Sequence, residues 1–146
     1  MAFEIEHKYL VINDDYKALS YDSHHIIQGY LSREPERTVR VRIKDDDAFL
    51  TVKGKTFGSS RLEFEYQIPK EDGIKMLELC TQPILEKKRY IVPFNGHIWE
   101  VDEFMGDKKG LVIAEIELKS EDETYTIPGF VGENVTGDTK YYNSSL

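Results

Sequence analysis

Two acidic residues and a lysine alternate with apolar residues near the start of the chain. Glu4, Glu6 and Lys8 lie two positions apart, and the opposite parity carries Ile5 and Tyr9. Successive side chains of a β-strand point to opposite faces, so the three charged groups would share one face. Carboxylates bind hard divalent cations, and lysine binds phosphate as a compact positive charge. The pattern indicates a strand that could hold a metal ion beside a phosphate group.

The same alternation recurs in most of the other predicted strands and gives two sets of charged residues on one face. The cations of this face are Lys8, Arg40, Arg42, Lys53, Lys87 and Arg89. They exceed what a single phosphate needs and suit a short polyphosphate chain. The acids of the same face are Glu4, Glu6, Glu63, Glu65, Asp102, Glu115 and Glu117. Acids would repel such a ligand unless divalent cations lay between acid and phosphate. The seven acids are therefore the predicted metal ligands, with Mg²⁺ or Mn²⁺ as cofactor.

Eight segments have the alternation of β-strands and must position these residues. They span 2–11, 28–32, 38–44, 48–54, 60–68, 85–93, 97–105 and 111–119. Asn95 and Gly96, between two of them, are typical of a type I′ hairpin. Helical signals are fewer: a helix over 70–80, a weaker helical or irregular stretch over 14–25, and a short helix beginning near Phe130.

The charged face recurs too regularly for an ordinary solvent-facing sheet, and eight strands can close into a barrel whose one face lines a lumen. We therefore predict an α+β, mainly β fold: an eight-stranded antiparallel closed β-barrel with a charged interior and a few covering helices. An open sheet stays the alternative at this point. The apolar exterior would be covered by the helices and by a second subunit, which favours a homodimer.

Composition restricts the remaining classes. A chain of 146 residues fits one domain, 1–146. Its net charge of −8 argues against binding nucleic acid, and no apolar run is long enough for a membrane span. The acidic N-terminus lacks the features of a secretory signal, and a single cysteine, Cys80, suits a reducing compartment. A cytoplasmic protein is the expectation.

Ordered sequence blocks along the whole chain resemble the CYTH domain family, also called triphosphate tunnel metalloenzymes, and above all its small bacterial inorganic triphosphatases. The blocks are EIEHK, QGYL, VRVRI, LTVKG, RLEFEY, EKKRY, WEVDEF, GLVIAEIEL and GENVTGDTKYYNSSL. The resemblance implies an eight-stranded antiparallel tunnel. It also implies that the six cations hold a triphosphate, that the seven acids hold the metal, and that Tyr30 and Lys8 are catalytic.

Four further charged residues are assigned lesser roles. Arg61 and Glu100 share the charged face and are interpreted as structural ion pairs. Lys88 has the outward parity and Lys55 lies at a strand end, so neither is expected in the site.

The function predicted from these features is metal-dependent hydrolysis of a small-molecule triphosphate, with inorganic tripolyphosphate as the main candidate. An adenylyl cyclase, a thiamine or nucleoside triphosphatase, and a non-catalytic polyphosphate-binding module are the alternatives. A lipocalin-like carrier would place apolar side chains inside its barrel, which is the reverse of the parity found here.

Overall fold

Eight antiparallel strands close into a barrel in the computed structural model, which describes residues 2–146. The strands are β1 (Phe3–Val11), β2 (Asp22–Ser32), β3 (Arg37–Lys44), β4 (Asp47–Gly54), β5 (Ser60–Ile68), β6 (Thr81–Phe94), β7 (His97–Phe104) and β8 (Val112–Glu117). Their order is β5-β4-β3-β2-β6-β7-β8-β1, and β1 pairs again with β5. This last pairing sets Glu4 opposite Arg61 and closes the sheet, so the predicted barrel is confirmed.

One of the helical predictions is wrong in part, and another is wrong in full. Only Tyr16–Leu19 forms a helix (α1) within the stretch 14–25, because β2 begins at Asp22 and pairs with the long strand β6. The segment after Phe130 is a ninth strand, β9 (Val131–Asn134), not a helix. Strand β1 pairs with β5 only through Phe3, Glu4 and Ile5, and β9 pairs with β1 further on, at Tyr9 and Val11. Unpaired edge groups of a strand favour such an addition over local helix formation.

The predicted helix over 70–80 is confirmed as α2 (Lys70–Leu79), and it packs on the outside of β3 and β4. Contact is close because Gly73 has no side chain: a Cβ there would lie 2.7 Å from the Cβ of Ala48. The remaining helical turns are short 3₁₀ segments at Gly106–Lys108, Thr139–Tyr141 and Asn143–Ser145. Within residues 2–146, no helix has the length and apolar character needed to cross a membrane.

The main hydrophobic core lies outside the barrel wall, under α1 and the segment that leads to β9. Its members include Tyr9, Tyr16, Tyr90, Val92, Trp99, Val101, Ile116 and Phe130. Those members that lie in strands have the parity opposite to the charged set, as the alternation predicts. Around β5 the outer face is uncovered, with Phe3, Leu62, Phe64 and Tyr66 exposed. The homodimer stays a prediction that this exposed face motivates.

A second, smaller apolar cluster fills one end of the lumen. Leu85, Phe104 and Ile113 are buried there, and the C-terminal residues Tyr141 and Leu146 pack against them. Leu85 pairs with Gln28 and Phe104 with Lys87, so both have the inward parity. The charged interior is therefore closed at this end by apolar side chains and the C-terminal segment.

The contact between Tyr16 of α1 and Glu103 of β7 gives a test of the covering layer. The Tyr16 hydroxyl donates to Glu103 Oε2 at 2.7 Å, and this bond, opposed by burial and aided by Lys17, lowers the Glu103 pKa. We expect Tyr16→Phe to lower the free energy of unfolding by about 1–2 kcal/mol at neutral pH. Because the folded-state pKa of Glu103 is lowered, ionised Glu103 stabilises the fold at pH values above its unfolded-state pKa. This stabilisation is lost as the pH falls through the folded-state pKa, so Tyr16→Phe should cost less stability in acid.

Urea unfolding near pH 7 and pH 3 would check this expectation. Tyr21→Phe is the matched control, because Tyr21 is 67% exposed. An equal cost of the Tyr16 variant at both pH values would contradict the assigned role of the bond.

Candidate active site

The inward side chains surround a cavity of about 210 Å³ that runs into the barrel. Alternation along eight closed strands positions them, because every second residue must face the lumen. All of the predicted cations line this cavity, together with Tyr30. The predicted acids that line it are Glu4, Glu6, Glu63, Glu65, Glu115 and Glu117. Expected structural pairs are found as well, since Arg61 contacts Glu4 at 3.3 Å and Glu100 contacts Arg89 at 3.4 Å.

Asp102 is the predicted acid that the structure places apart from the others. It is 1% exposed and lies behind the cations rather than on the cavity surface. Its carboxylate accepts from Arg89 Nε at 2.7 Å and Arg89 Nη2 at 2.9 Å, and it contacts Lys87 Nζ at 2.7 Å. Burial opposes its charge, but Arg89 and Lys87 lower the Asp102 pKa far below the ordinary value. In this arrangement Asp102 fixes two of the cations.

Three of the acids in the lumen also form ion pairs with lysine or arginine side chains. Lys53 Nζ lies 3.0 Å from Glu4 and 3.2 Å from Glu63. Burial alone would raise the Glu4 pKa, but Lys53 and Arg61 lower it to about 2. Glu115 lies 3.8 Å from Lys8 and 3.7 Å from Arg89. Its pKa is likewise held well below the ordinary value, against the effect of burial.

Several lumen carboxylates carry raised pKa values because they are buried and lie close to other acids. Burial and the neighbouring Glu115 and Glu4 raise the Glu6 pKa well above its ordinary range. Burial also raises the pKa of Glu63 and Glu117, and Glu4 adds to both effects. A hard divalent cation relieves such crowding of carboxylates, so the donor chemistry fits a hard divalent metal ion. Within residues 2–146, however, no three acids already converge at metal-ligand spacing, since several face lysine or arginine instead.

The cations at the inner end of the cavity carry positive charge that no carboxylate fully balances. Lys87 is 1% exposed, and its burial lowers its pKa. Asp102 raises the Lys87 pKa, but Arg89 and Arg42 lower it further, and the result is a pKa of about 7. Burial, Arg40 and Arg89 also lower the Arg42 pKa. The side-chain hydrogen bond of Arg42 goes from Nε to Gln28 Oε1 at 2.9 Å, which leaves its terminal nitrogens for a ligand. This end of the cavity is suited to a multiply charged anion.

Tyr30 and Lys8, the predicted catalytic pair, both face the lumen and are buried. Burial acts against the lysine charge, but Glu115 and Glu6 raise the Lys8 pKa. Lys8 is therefore held as a cation, and its Nζ donates to the Tyr141 carbonyl at 3.1 Å. Tyr30 is the strand partner of Arg40, and the Arg33 guanidinium lies 5.1 Å from its ring centroid.

Sequence reasoning missed several residues that line the cavity. Lys44 shares the parity of Arg40 and Arg42 on β3, so the alternation already contained the signal for it. Tyr142, Asn143 and Ser144 line the cavity from the C-terminal segment, where no strand pattern exists to indicate it. The expected outsiders, Lys55 and Lys88, do not line the cavity.

A closed antiparallel barrel with cations and carboxylates facing each other across its lumen defines a charged-tunnel class of protein. The CYTH domain profile matches residues 2–143, and the chain belongs to this family. An inorganic triphosphatase of Acetivibrio thermocellus is 48% identical over 147 aligned positions, covering 100% of this chain and 94% of the relative. One from Nitrosomonas europaea is 33% identical, covering 82% and 81%. The crystal structure of an inorganic triphosphatase superposes with a TM-score of 0.68 at 29% identity, covering 99% and 94%.

Proposed function

We propose that the protein hydrolyses inorganic tripolyphosphate to release phosphate and that it uses Mg²⁺ or Mn²⁺. The observation that carries the proposal is the lumen itself, where buried cations and crowded carboxylates face one cavity. Cations alone would describe a phosphate-binding protein, whereas the acids add sites for divalent ions. The names of the two curated relatives and membership of a metalloenzyme family support the same activity.

The size of the cavity favours an unsubstituted phosphate chain over a nucleotide. About 210 Å³ is below the roughly 300–1,000 Å³ typical of pockets for drug-sized organic ligands. Its lining contains Phe49 and Tyr142 but is dominated by ionised groups, with little apolar surface for an adenine ring. Adenylyl cyclase, thiamine triphosphatase and nucleoside triphosphatase activities therefore remain the secondary candidates.

In this proposal the residues of the chain divide the work between binding and proton transfer. Arg40, Arg42 and Lys87 bind the phosphate oxygens, and the closed barrel wall holds these cations in place around the reacting bond. The lumen acids would hold the divalent ion, whose chemistry there would be to shield phosphate charge and to acidify a water molecule. Lys8 Nζ, held protonated by Glu115 and Glu6, stabilises charge on the phosphate being transferred. The Tyr30 hydroxyl exchanges a proton with the attacking or leaving oxygen.

A substrate panel tests this function directly. Tripolyphosphate, ATP and thiamine triphosphate are incubated with Mg²⁺ or Mn²⁺, and phosphate and cyclic AMP are measured separately. We expect the highest kcat/KM with tripolyphosphate and no turnover after EDTA treatment. Cyclic AMP as the main product from ATP would show a cyclase instead. Tripolyphosphate binding without turnover at either metal would show a non-catalytic binding module.

A further inference from the structure

The C-terminal segment is anchored across the closed end of the lumen. Tyr141 and Leu146 pack against the interior apolar cluster of Leu85, Phe104 and Ile113. Between these two anchors lies Asn143, whose side chain reaches the cations of the site. The anchors on both sides hold Asn143 in place and make it part of the wall of the cavity.

The Asn143 side chain accepts two hydrogen bonds from buried donors. Its Oδ1 lies 2.8 Å from Lys87 Nζ and 2.9 Å from Gln28 Nε2. Gln28 is 0% exposed, and its orientation is fixed by Arg42, because Arg42 Nε can only donate. Gln28 must therefore present Oε1 to Arg42 and Nε2 to an acceptor, and Asn143 supplies that acceptor.

Arg33 holds the backbone beside Asn143 from the other side. Its Nη1 donates to the Ser144 carbonyl at 2.8 Å, while Nη2 donates to the Pro83 carbonyl at 2.8 Å and Nε to Thr81 Oγ1 at 2.7 Å. These bonds tie the C-terminal segment to the start of β6. The position of the Asn143 amide is therefore determined by apolar contacts and by main-chain hydrogen bonds together.

We propose that Asn143 is a positioning residue of the phosphate site, which orients Lys87 directly and Arg42 through Gln28. The proposal rests on the proposed function, since the oriented cations are those assigned to the triphosphate. Removing the acceptor would leave the Gln28 amide and one Lys87 donor without a partner in a buried place. Gln28 would then be held by Arg42 alone, so that its side chain would be free to shift and to carry the guanidinium away from the anion.

Steady-state kinetics and direct binding test the assignment with Asn143→Leu, a variant of similar size without a polar group. We expect KM for tripolyphosphate to rise about tenfold while kcat changes less than about threefold. The lost hydrogen bond orients the charged Lys87 for substrate binding, so its loss should weaken binding more than it slows the chemical step. Affinity for a methylene-bridged triphosphate analogue, measured by calorimetry, should fall by the same factor. Ser145→Ala, at an exposed neighbouring position, is the control and should match the wild type.

A second variant separates positioning from a general loss of structure. Gln28→Met should also raise KM, but no more than Asn143→Leu does, because Asn143 contacts Lys87 directly as well. The double variant should raise KM no further than Asn143→Leu alone, because both residues act on Arg42 through one chain of contacts. Unchanged melting temperatures would show that each variant folds. Additive effects would overturn the proposal, as would an unchanged KM. A lowered KM would also overturn it and would show that the C-terminal segment competes with the substrate.

The binding measurement distinguishes failure of this inference from failure of the proposed function. If the wild-type protein binds the analogue but cleaves no triphosphate, the function is wrong and the loss of affinity in Asn143→Leu still decides the inference. If the wild-type protein binds no analogue, the inference is overturned together with the phosphate site.

Discussion

Glu6→Gln is expected to reduce metal-dependent turnover of tripolyphosphate about a thousandfold while leaving the fold intact. Glu6 faces the lumen beside Glu4 and Glu115, where burial and these neighbours raise its pKa. Without a divalent ion, ionisation of this side chain is therefore less favourable than in water, and glutamine is a close neutral replacement in shape. With the ion, a carboxylate is needed as ligand, and a metal centre contributes several kcal/mol to transition-state stabilisation.

Two measurements check the Glu6 expectation separately. Turnover at saturating Mg²⁺ or Mn²⁺ should fall, and calorimetry with Mn²⁺ alone should show weaker binding of the ion to the variant. The melting temperature should stay close to that of the wild type. Glu71→Gln, on the exposed surface of α2, is the control and should change neither measurement. A Glu4→Gln, Glu6→Gln double variant with full activity would exclude this carboxylate pair as part of the metal site.

Arg42→Gln is expected to be the second large loss, with kcat/KM reduced about a hundred- to a thousandfold and no loss of stability. Arg42 is buried in the lumen, and its terminal nitrogens have no protein acceptor among the hydrogen bonds of residues 2–146. Removing one preorganised donor from a reacting anion typically costs this factor. The side-chain amide of glutamine keeps a donor that can reach Gln28.

The expected stability of the Arg42 variant follows from the direction of its pKa. Burial with Arg40 and Arg89 lowers the Arg42 pKa, so the positive charge is less favourable in the folded chain than in the unfolded chain. Neutral pH lies below the folded-state pKa of Arg42, so the charged side chain lowers the free energy of unfolding there. Replacing it with neutral glutamine should therefore leave the melting temperature equal or higher. The protein thus keeps an unfavourable charge that Asp102 offsets only in part and that a bound anion would compensate further.

Arg37→Gln provides the matched comparison for Arg42→Gln. Arg37 begins the same strand, but its side chain is exposed and contacts Glu34 and Glu36. This control should retain wild-type kcat/KM. If Arg42→Gln stayed within about threefold of the wild type, the assignment of Arg42 to the phosphate site would be contradicted.

The residues of the barrel lumen were predictable because period-two alternation is a local property of the chain. Once a segment is a strand, the parity of Glu4, Lys53 or Arg89 follows from its number alone. The same parity applies to Lys44, which was not among the predicted site residues. In contrast, the short helix predicted after Phe130 depended on weak local propensity, and pairing with the free edge of β1 prevailed.

Two features of the site depend on contacts between residues far apart in the chain. Asp102 shares the parity of the other acids, yet Lys87 and Arg89 surround it, so that it supports the cations from behind. Asn143 lies outside any strand and reaches Gln28, which is 115 positions away in the sequence. Neither relation leaves a periodic signal.

The sequence by itself determined which side chains face the interior and that this interior is charged, because alternation along a strand needs no knowledge of its partners. Only the tertiary structure decided how those charges pair, which acids are crowded and which cations are free. The reason is that a pKa, an ion pair or a buried hydrogen bond depends on distances between strands. These distances are fixed only when β1 meets β5 and the C-terminal segment closes the end of the lumen.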